Sequence, residues 1–456
     1  MLHTKFFAGA SLALLSAAPA LAQSAFADLD QSWSGTISAG SGARDQPLVP
    51  GGEAVVTGEG LEPGQTVTLM RGETVLNEEP YIADGEGAFE AALPLPEDAV
   101  PGIHPILAQI GAPSYGLAFE MKISPDLPLS GEERFIIESA PLVSGLYQVA
   151  YSAASDTLFV ASAVGRPPIE ESQLLKVDPE TLEITASITP ETAPENGVFA
   201  VYGIGVDDAQ GTVWVTNTRQ DTVAVYDQDD LSLIKQFAPG TVGHARDVVI
   251  DAEAGRAYAS ATFEPTVHVF DTETLEELEP ITIPSSRRRA TFGMGSIALD
   301  PGAGRLVAAS LDTDEVAVID TADGSVLNIV PLENVLGTIG IAYDPEADAV
   351  IATSQGSDHV TRIDAESGEI LSQLRTGAGP LNAAWNPASG EVFVTNRVSG
   401  TLSVLDAAGE ITATLPIGTF PNGVIALEDG TVFVVNKSAG EDDAQGDHIT
   451  RITPAE

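Results

Sequence analysis

Short segments in which apolar and polar residues alternate follow one another along almost the whole chain. Between Gly390 and Ile411 the sequence reads GEVFVTNRVSGTLSVLDAAGEI, in which EVFVTN and TLSVLD alternate with a period of two. Such alternation is typical of strands buried on one face, and the intervening VSG and AAG indicate turns. The pattern therefore predicts an all-β chain made of short hairpins.

Related copies of this unit recur through most of the chain. Seven segments align as the first strand of a copy, and they begin at positions 148, 203, 247, 296, 340, 382 and 423. Seven copies of a four-strand unit at this spacing predict a seven-bladed β-propeller over residues 131–456. The seventh copy ends after its third strand, so we expect Arg134–Ser139 to pair beside Ile449–Ile452. That pairing would close the ring and remove two long unpaired edges.

Residues 28–125 precede the repeats and are predicted to form a separate module. Segments such as EAVVTG, QTVTLMRG and GAFEAALPL alternate like strands and are separated by Gly and Pro. They predict a small β-sandwich of immunoglobulin-like type, for which a spacer or docking role is the simplest interpretation. Pro125, Pro128 and Gly131 mark the linker to the repeats.

The first 22 residues have the pattern of a secretory signal peptide. Lys5 supplies the positive charge, residues 6–18 form a short apolar run, and Ala20-Leu21-Ala22 matches a cleavage site. We therefore expect a periplasmic or secreted protein that begins near Gln23 and has no membrane span.

Composition narrows the kinds of partner. The chain has 66 acidic and 20 basic residues, a formal net charge of −46, and no cysteine. The absence of cysteine excludes disulfides and thiolate chemistry, and the acidity repels nucleic acid and anionic membranes at long range. An adaptation for solubility in a salty habitat explains the acidity equally well.

Two segments carry a resemblance to a known family. VFVTN at Val392–Asn396 and VWVTN at Val213–Asn217, each followed by a turn and TLSVLD or TVAVYD, resemble the YVTN-repeat β-propellers. Other segments are similar to the YncE-type periplasmic proteins of that family, among them GLYQVAYSAASDTLFVASAVGR from Gly145, HARDVVIDAEAGRAYAS from His244 and FPNGVIALEDGTVFVVN from Phe420. This resemblance covers about residues 131–456. The resemblance implies a propeller fold. It also implies single-stranded DNA as one possible ligand, although the family has no single activity.

The basic residues are unevenly placed. In a propeller, the loops from second to third strand and from outer to next first strand emerge on one face, called the top here. Eight of the 16 Lys and Arg in residues 131–456 fall in or beside these loops: Arg166, Arg219, Arg246, Arg287, Arg288, Arg289, Arg397 and Lys437. Guanidinium groups match carboxylate and phosphate oxygens, so they predict an anion-binding rim on an acidic body. The alternative is that they pair with acids such as those of Glu441–Asp443.

The residues just before the first strands are expected to face the mouth of the channel. That column holds Tyr147, Tyr202, Arg246, Gly295, Ile339, Leu381 and Asn422. Aromatic rings beside arginine can stack on bases or sugars, although these tyrosines could also simply line the funnel. The predicted ligand-binding residues are therefore Arg287, Arg288, Arg289, Arg246, Tyr147, Tyr202, Arg219, Arg397, Lys437 and Asn422.

The sequence carries no catalytic motif, so we predict no catalytic residue, metal site or cofactor. The predicted function is binding of an anionic ligand, either single-stranded nucleic acid or a small phosphorylated or carboxylated molecule. A lactonase-like hydrolase is the alternative, with Asp247, Asn382 and Gln148 facing the channel. A third possibility is a cell-surface scaffold that contacts protein partners through the sandwich.

Overall fold

The computed structural model describes residues 34–111, 114–194 and 196–455. This part of the chain contains 36 β-strands and two short 3-10 helices, Glu132–Arg134 and Thr218–Gln220. The predicted all-β class is confirmed. No helix in these ranges is long and apolar enough to cross a membrane. The predicted signal peptide lies outside the described residues.

The N-terminal unit consists of two sheets that enclose one hydrophobic core. The first sheet has the order β1-β2-β6 and the second the order β4-β3-β7-β8, with β5 also paired to β3. Val56, Leu69 and Ile106 are among the buried core residues that the two sheets share. Its strands are β1 (Thr36–Gly40), β2 (Glu53–Glu59), β3 (Thr66–Arg71), β4 (Thr74–Val75), β5 (Tyr81–Ile82), β6 (Phe89–Pro94), β7 (Gly102–Gly111) and β8 (Tyr115–Ile123).

The remaining strands form seven four-stranded antiparallel sheets. The first three, in strand order, are β10 (Leu146–Ser152), β11 (Thr157–Val164), β12 (Glu171–Val177), β13 (Ile184–Ile188); β14 (Val201–Asp207), β15 (Thr212–Asn217), β16 (Thr222–Asp227), β17 (Leu233–Gln236); and β18 (Ala245–Asp251), β19 (Arg256–Ala261), β20 (Thr266–Asp271), β21 (Ile281–Thr282).

The next three sheets are β22 (Met294–Asp300), β23 (Arg305–Ser310), β24 (Glu315–Asp320), β25 (Val326–Pro331); β26 (Thr338–Asp344), β27 (Ala349–Ser354), β28 (His359–Asp364), β29 (Ile370–Arg375); and β30 (Pro380–Trp385), β31 (Val392–Asn396), β32 (Thr401–Leu405), β33 (Ile411–Pro416). The last sheet has the order β34 (Pro421–Ala426), β35 (Val432–Asn436), β36 (His448–Pro454) and β9 (Phe135–Pro141).

The last sheet joins the two ends of the repeat region. Strand β9 pairs antiparallel with β36, with Ser139 opposite Thr450 and Ile137 opposite Ile452. Each first strand contacts the first strand of the next sheet, and β34 contacts β10. The sheets therefore surround a central channel in the arrangement of a β-propeller.

Buried aromatic residues fill the spaces between neighbouring sheets. Trp214 and Phe270 belong to adjacent sheets, are both fully buried, and have ring centroids 5.7 Å apart. Phe393 packs in the same way among residues of the last two sheets. Strands such as β15 and β27 are buried at every position, so both faces of these sheets pack against a neighbour, whereas the alternation indicates burial of one face only.

The N-terminal unit contacts the fifth of the seven sheets. The Lys122 ammonium, in β8, lies 2.7 Å from the buried Asp358 carboxylate, in the turn between β27 and β28, and also donates to the backbone oxygen of Gln355. The linker residue Ser130 forms a bridge with Thr414 in β33. These contacts fix the unit beside the top face.

Candidate functional site

The first strand of every sheet carries a register shift near its start. The shifts fall between Leu146 and Val149, between Val201 and Ile204, and at the equivalent places of the other five first strands. Such bulges leave residues out of the ladder and turn their side chains away from the sheet. Here the released residues are those of the predicted mouth column, so the bulges direct that column toward the channel.

Two of these residues form an aromatic pair at the mouth. The rings of Tyr147 and Tyr202 have centroids 4.2 Å apart and an interplanar angle of 34°. The Lys437 Nζ lies 3.4 Å from the Tyr147 centroid, and the Arg246 guanidinium carbon lies 5.6 Å from the Tyr202 centroid. Because the Tyr202 ring lies against one face of Tyr147 and leaves no room there for an ammonium, Lys437 covers the opposite face of the Tyr147 ring.

Burial raises the pKa of both phenols, and the nearby guanidinium groups of Arg219 and Arg397 only partly offset it at Tyr147. Both tyrosines therefore remain protonated and neutral at neutral pH. Their hydroxyl groups do not neutralise the positive side chains around them.

Arg246 is held deep in the mouth. Its Nε donates to the Ser296 hydroxyl at 3.0 Å and one terminal nitrogen donates to the Tyr202 hydroxyl at 3.0 Å. The other terminal nitrogen is buried and has no hydrogen-bond partner among the described residues. The Arg246 backbone lies close to Gly203 of the neighbouring sheet. A Cβ atom on Gly203 would be only 2.1 Å from the Arg246 carbonyl oxygen, so a larger residue does not fit there. An unsatisfied buried donor of this kind is expensive unless a ligand completes it.

Arg397 lies on the other side of the mouth, in the turn after β31. Its guanidinium carbon is 4.8 Å from the Phe420 ring centroid, and one terminal nitrogen donates to the Asn422 side-chain oxygen at 3.0 Å. The Asn422 amide in turn donates to the Tyr147 carbonyl oxygen at 3.1 Å. Asn422 therefore connects the arginine to the aromatic pair.

Positive charges accumulate at this site. Burial, together with the charges of Arg397 and Arg219, lowers the pKa of Lys437 to about 7, although Asp447 opposes the shift. Burial also lowers the pKa of Arg397. No salt bridge of Arg219, Arg397 or Lys437 is present among the described residues. The mouth therefore holds cations that no protein carboxylate pairs at close range.

Two hollows adjoin the mouth. A cavity of about 250 Å³ lies in the channel and is lined by Gln148, Asp247, Ser296 and Asn382, among others. A groove of about 540 Å³ lies on the outer side of Arg219 and is lined by Pro167, Pro168, Pro194 and Pro239. Arg219 thus stands between the mouth and a groove large enough for a small ligand.

Polar side chains inside the channel already have hydrogen-bond partners in the protein. The Asp247 carboxylate accepts from the Gln148 side chain at 2.5 Å and from the Ile297 backbone nitrogen at 3.1 Å. Asn382 donates to the carbonyl oxygen of Asn422 at 2.5 Å. No cluster of three or more His, Asp or Glu side chains suited to a metal occurs in the described part of the chain.

Comparison with known proteins identifies the fold family. Uncharacterized proteins named YncE from Salmonella typhi and Salmonella typhimurium are each 28% identical over 327 residues, which cover 68% of this chain and 88% of theirs. The chain is a YncE-like β-propeller protein. No family model matches it.

Solved structures resemble this YncE-like protein in fold alone. Virginiamycin B lyase from Staphylococcus aureus matches with a TM-score of 0.56 and 15% identity, over 70% of this chain and all of the lyase. Hydrazine synthase from Kuenenia stuttgartiensis matches with a TM-score of 0.56 and 17% identity, over 68% of this chain and 96% of that chain. Proteins with such different names share the propeller, so the function must be argued from the site.

The YncE-like protein brings together six of the predicted ligand-binding residues: Tyr147, Tyr202, Arg246, Arg397, Lys437 and Asn422. Arg219 is exposed at their edge. Arg287, Arg288 and Arg289 are also exposed, and Arg287 donates to the backbone oxygens of Thr313 and Leu332. The three consecutive arginines therefore lie in a loop that packs on the fourth sheet.

Sequence reasoning missed two residues of the site, Phe420 and Ser296. Phe420 supports the Arg397 guanidinium, and Ser296 accepts from Arg246. Ser296 stands first in its aligned first strand, so its position signalled a place near the mouth. Phe420 has a positive φ of 46° just before β34. The residues just before four other first strands share this conformation, namely Gly145, His244, Gly337 and Gly379. The repeat therefore indicates the backbone conformation but not the aromatic side chain.

Proposed function

We propose that this protein binds a small anionic ligand at the mouth of the propeller channel, through Arg246 and Arg397, with Lys437 beside them and Arg219 at the outer edge. Lys437, whose pKa is lowered to about 7, is only partly protonated at neutral pH. The observation that carries the proposal is the lack of close carboxylate partners for three of these cations. In a chain with 66 acidic and 20 basic residues, any surface cation has many possible acidic partners. Arg397 and Lys437 are also partly buried, so side chains kept apart from these acids are arranged to receive an anion from outside.

The aromatic pair favours a small phosphorylated or carboxylated molecule over single-stranded DNA. A base would stack on an exposed aromatic face. Tyr147 has one face against Tyr202 and the other under Lys437, so a base would have to displace the lysine. The net charge of −46 also repels a polyanion. Single-stranded DNA, which the family resemblance implies, therefore belongs in the test as the competing ligand.

Arg287, Arg288 and Arg289 contribute to this function as steering charges on the rim. All three are exposed, and Arg287 is already hydrogen bonded to backbone oxygens. Exposed rim charges act mainly on the rate of encounter and on its salt dependence.

The hydrolase alternative has weaker support. A lactonase-like site needs a carboxylate that is free to hold a divalent ion or activate water. Both oxygens of Asp247 already accept hydrogen bonds, and the amide of Asn382 donates to a backbone oxygen. The same groups serve to fix the lower wall of the mouth.

The domain assignment behind this function is also part of the proposal. The seven sheets correspond to the seven repeats of residues 131–456, and the two N-terminal sheets correspond to the immunoglobulin-like sandwich of residues 28–125. Export to a bacterial periplasm is supported by the signal pattern of residues 1–22 and by the bacterial sources of the YncE relatives. A role of the sandwich in contacting a protein partner belongs with this proposal.

The binding site is tested by a thermal-shift panel followed by calorimetry. The panel contains inorganic phosphate, citrate, a nucleoside monophosphate, a single-stranded oligonucleotide and a sugar lactone. Because a ligand that binds only the folded state raises its stability, we expect at least one small anion to raise the Tm. Arg397→Gln should then weaken the binding of that ligand about 10- to 100-fold, as expected for the loss of a hydrogen bond to a charged group.

Arg256→Gln is the matched control, because Arg256 lies in β19 and pairs with Asp271 at 3.0 Å. It should leave the affinity unchanged. A panel in which no anion shifts the Tm would overturn the proposal, as would an equal loss of affinity in the two variants. A shift with the oligonucleotide alone would replace the small anion with nucleic acid.

A further inference from the structure

The four lysines in the described residues have very different surroundings. Lys122 pairs with Asp358, and Lys176 donates to the backbone oxygens of Gln228 and Asp229. Lys235 is exposed. Lys437 alone among these four is half-buried with no hydrogen bond or salt bridge at its Nζ, and it rests on the Tyr147 ring at 3.4 Å.

The surroundings of Lys437 favour the neutral amine. Burial lowers its pKa to about 7, and the positive charges of Arg397 and Arg219 act in the same direction. Asp447 opposes them, but one oxygen of its carboxylate already accepts from the backbone nitrogens of Gly145 and Ser438. A lysine desolvated beside other cations keeps an unprotonated, nucleophilic nitrogen at neutral pH. Such lysines form Schiff bases with carbonyl compounds.

We propose that Lys437 is a covalent site for carbonyl compounds, and that the ligand class of the mouth is a small oxo acid or an aldehyde bearing a phosphate. The anionic end of the ligand is held by Arg397 and Arg246, as in the proposed function on which this specificity rests. Arg397 is close enough to Lys437 for its charge to act on the amine, so an anion held by Arg397 brings its carbonyl group toward the Lys437 nitrogen.

The step is a reversible condensation that needs no other reactant. The lone pair of the amine nitrogen attacks the carbonyl carbon, a C–N bond forms, and the C=O π electrons move to oxygen. The oxygen takes up two protons, both supplied in net by the amine nitrogen through solvent. The nitrogen lone pair then forms the C=N bond as the C–O bond breaks, and the oxygen leaves as water. The product is an imine, with no net oxidation or reduction. The buried donor of Arg246, which lacks a partner, supplies a contact for the anionic group.

The test is reductive trapping with cyanoborohydride near neutral pH, read out by peptide mapping of the four lysines. Two probes of similar size are compared: glyoxylate, an anionic aldehyde, and glycolaldehyde, a neutral one. We expect Lys437 to be modified at least about tenfold faster than Lys235, because an ordinary lysine has a pKa near 10.4 and is almost fully protonated at this pH. Equal rates at the two lysines would overturn the proposal.

The two probes also separate this inference from the proposed function. A preference for glyoxylate that appears at Lys437 only, and that is lost in Arg397→Gln, supports both. Fast trapping of both probes without any preference upholds the nucleophilic lysine and contradicts the anion site. Binding of inorganic phosphate without selective trapping at Lys437 upholds the anion site and contradicts the covalent one. The main comparison uses the unaltered protein, so it does not depend on whether a Lys437 variant folds.

Discussion

Two arginines of this protein are equally buried and yet differ in what surrounds them. Arg246, at the channel mouth, has an exposed fraction of 8%, and Arg362, in β28 at the seam between the fifth and sixth sheets, has 7%. One terminal nitrogen of Arg362 donates to the Asp344 carboxylate, and the other donates to the backbone oxygen of Ala407. Arg362 therefore joins two sheets through a directly hydrogen-bonded ion pair, although its Nε has no hydrogen-bond partner among the described residues.

Arg246 makes no such direct hydrogen bond to a carboxylate. The nearest oxygen of Asp247 is 3.8 Å from its Nε, and that carboxylate already accepts from Gln148 and Ile297. One terminal nitrogen of Arg246 has no partner among the described residues. Burial alone does not distinguish these two arginines, and neither does an unpartnered nitrogen, which both have. They differ in the direct hydrogen bond from the guanidinium to a carboxylate, which Arg362 makes and Arg246 does not. The predictions below test this distinction.

The largest effect on stability is expected when Arg362 and Arg246 are replaced in two separate variants. Arg362→Gln leaves the buried Asp344 carboxylate without its cation, which typically costs about 3–5 kcal/mol of the free energy of unfolding. Arg246→Gln removes two hydrogen bonds to hydroxyl groups but no direct bond to a carboxylate, so we expect a loss of about 2 kcal/mol or less. Urea denaturation measures both. Equal losses would make Arg246 a structural residue and remove the distinction.

Much of the fold was predictable from the sequence because its repeats are local. Alternation marks the strands, and a last copy that stops after its third strand indicates that a strand from the start of the repeats must join it, as β9 does beside β36. The mouth column was predictable for a related reason, since the bulges occupy equivalent places in each first strand. Tyr202 and Arg246 follow from that periodicity.

The spatial arrangement of the side chains in the site was not predictable. Lys437 and Tyr147 come from the last and first sheets of the propeller. Only closure of the propeller brings the Lys437 ammonium over the face of the Tyr147 aromatic ring. Which cations lack a carboxylate likewise depends on contacts between distant residues. In the sequence Arg287 belongs to a basic cluster, yet in the structure its guanidinium donates hydrogen bonds to two backbone oxygens.

An intermediate effect is expected from Lys437→Met, which replaces the mouth cation with an apolar side chain of similar length. Burial lowers the pKa of Lys437 to about 7 in the folded protein, whereas an unfolded lysine has a pKa near 10.4. The unfolded chain therefore binds more protons between these values, and the stability of the unaltered protein rises with pH across this window. Below it, the cost of the buried charge is fully present.

We therefore expect Lys437→Met to raise the Tm near pH 6 by about 2 °C or more, and to lose most of this advantage near pH 9. Lys235→Met, which removes an exposed lysine, should show no such dependence on pH. A pH-independent difference in Tm for Lys437→Met would mean that the lysine has an ordinary pKa. The channel mouth would then differ from the site of Arg362 only in the number of its ion pairs.

The smallest effect is expected from replacing Arg287, Arg288 and Arg289 together by Ala. These residues are exposed on the rim, and Arg287 bonds to Thr313 and Leu332 rather than to residues of the mouth. They should act on an incoming anion only through long-range attraction, which salt screens over a Debye length of about 10 Å at 0.1 M ionic strength. We expect the association rate to fall by less than about threefold at low salt and the difference to vanish at high salt. Stopped-flow measurements with the ligand from the thermal-shift panel check this. A loss of affinity that persists at high salt would place the anion on the rim instead of at the mouth, because direct charge-assisted contacts survive screening better than steering does.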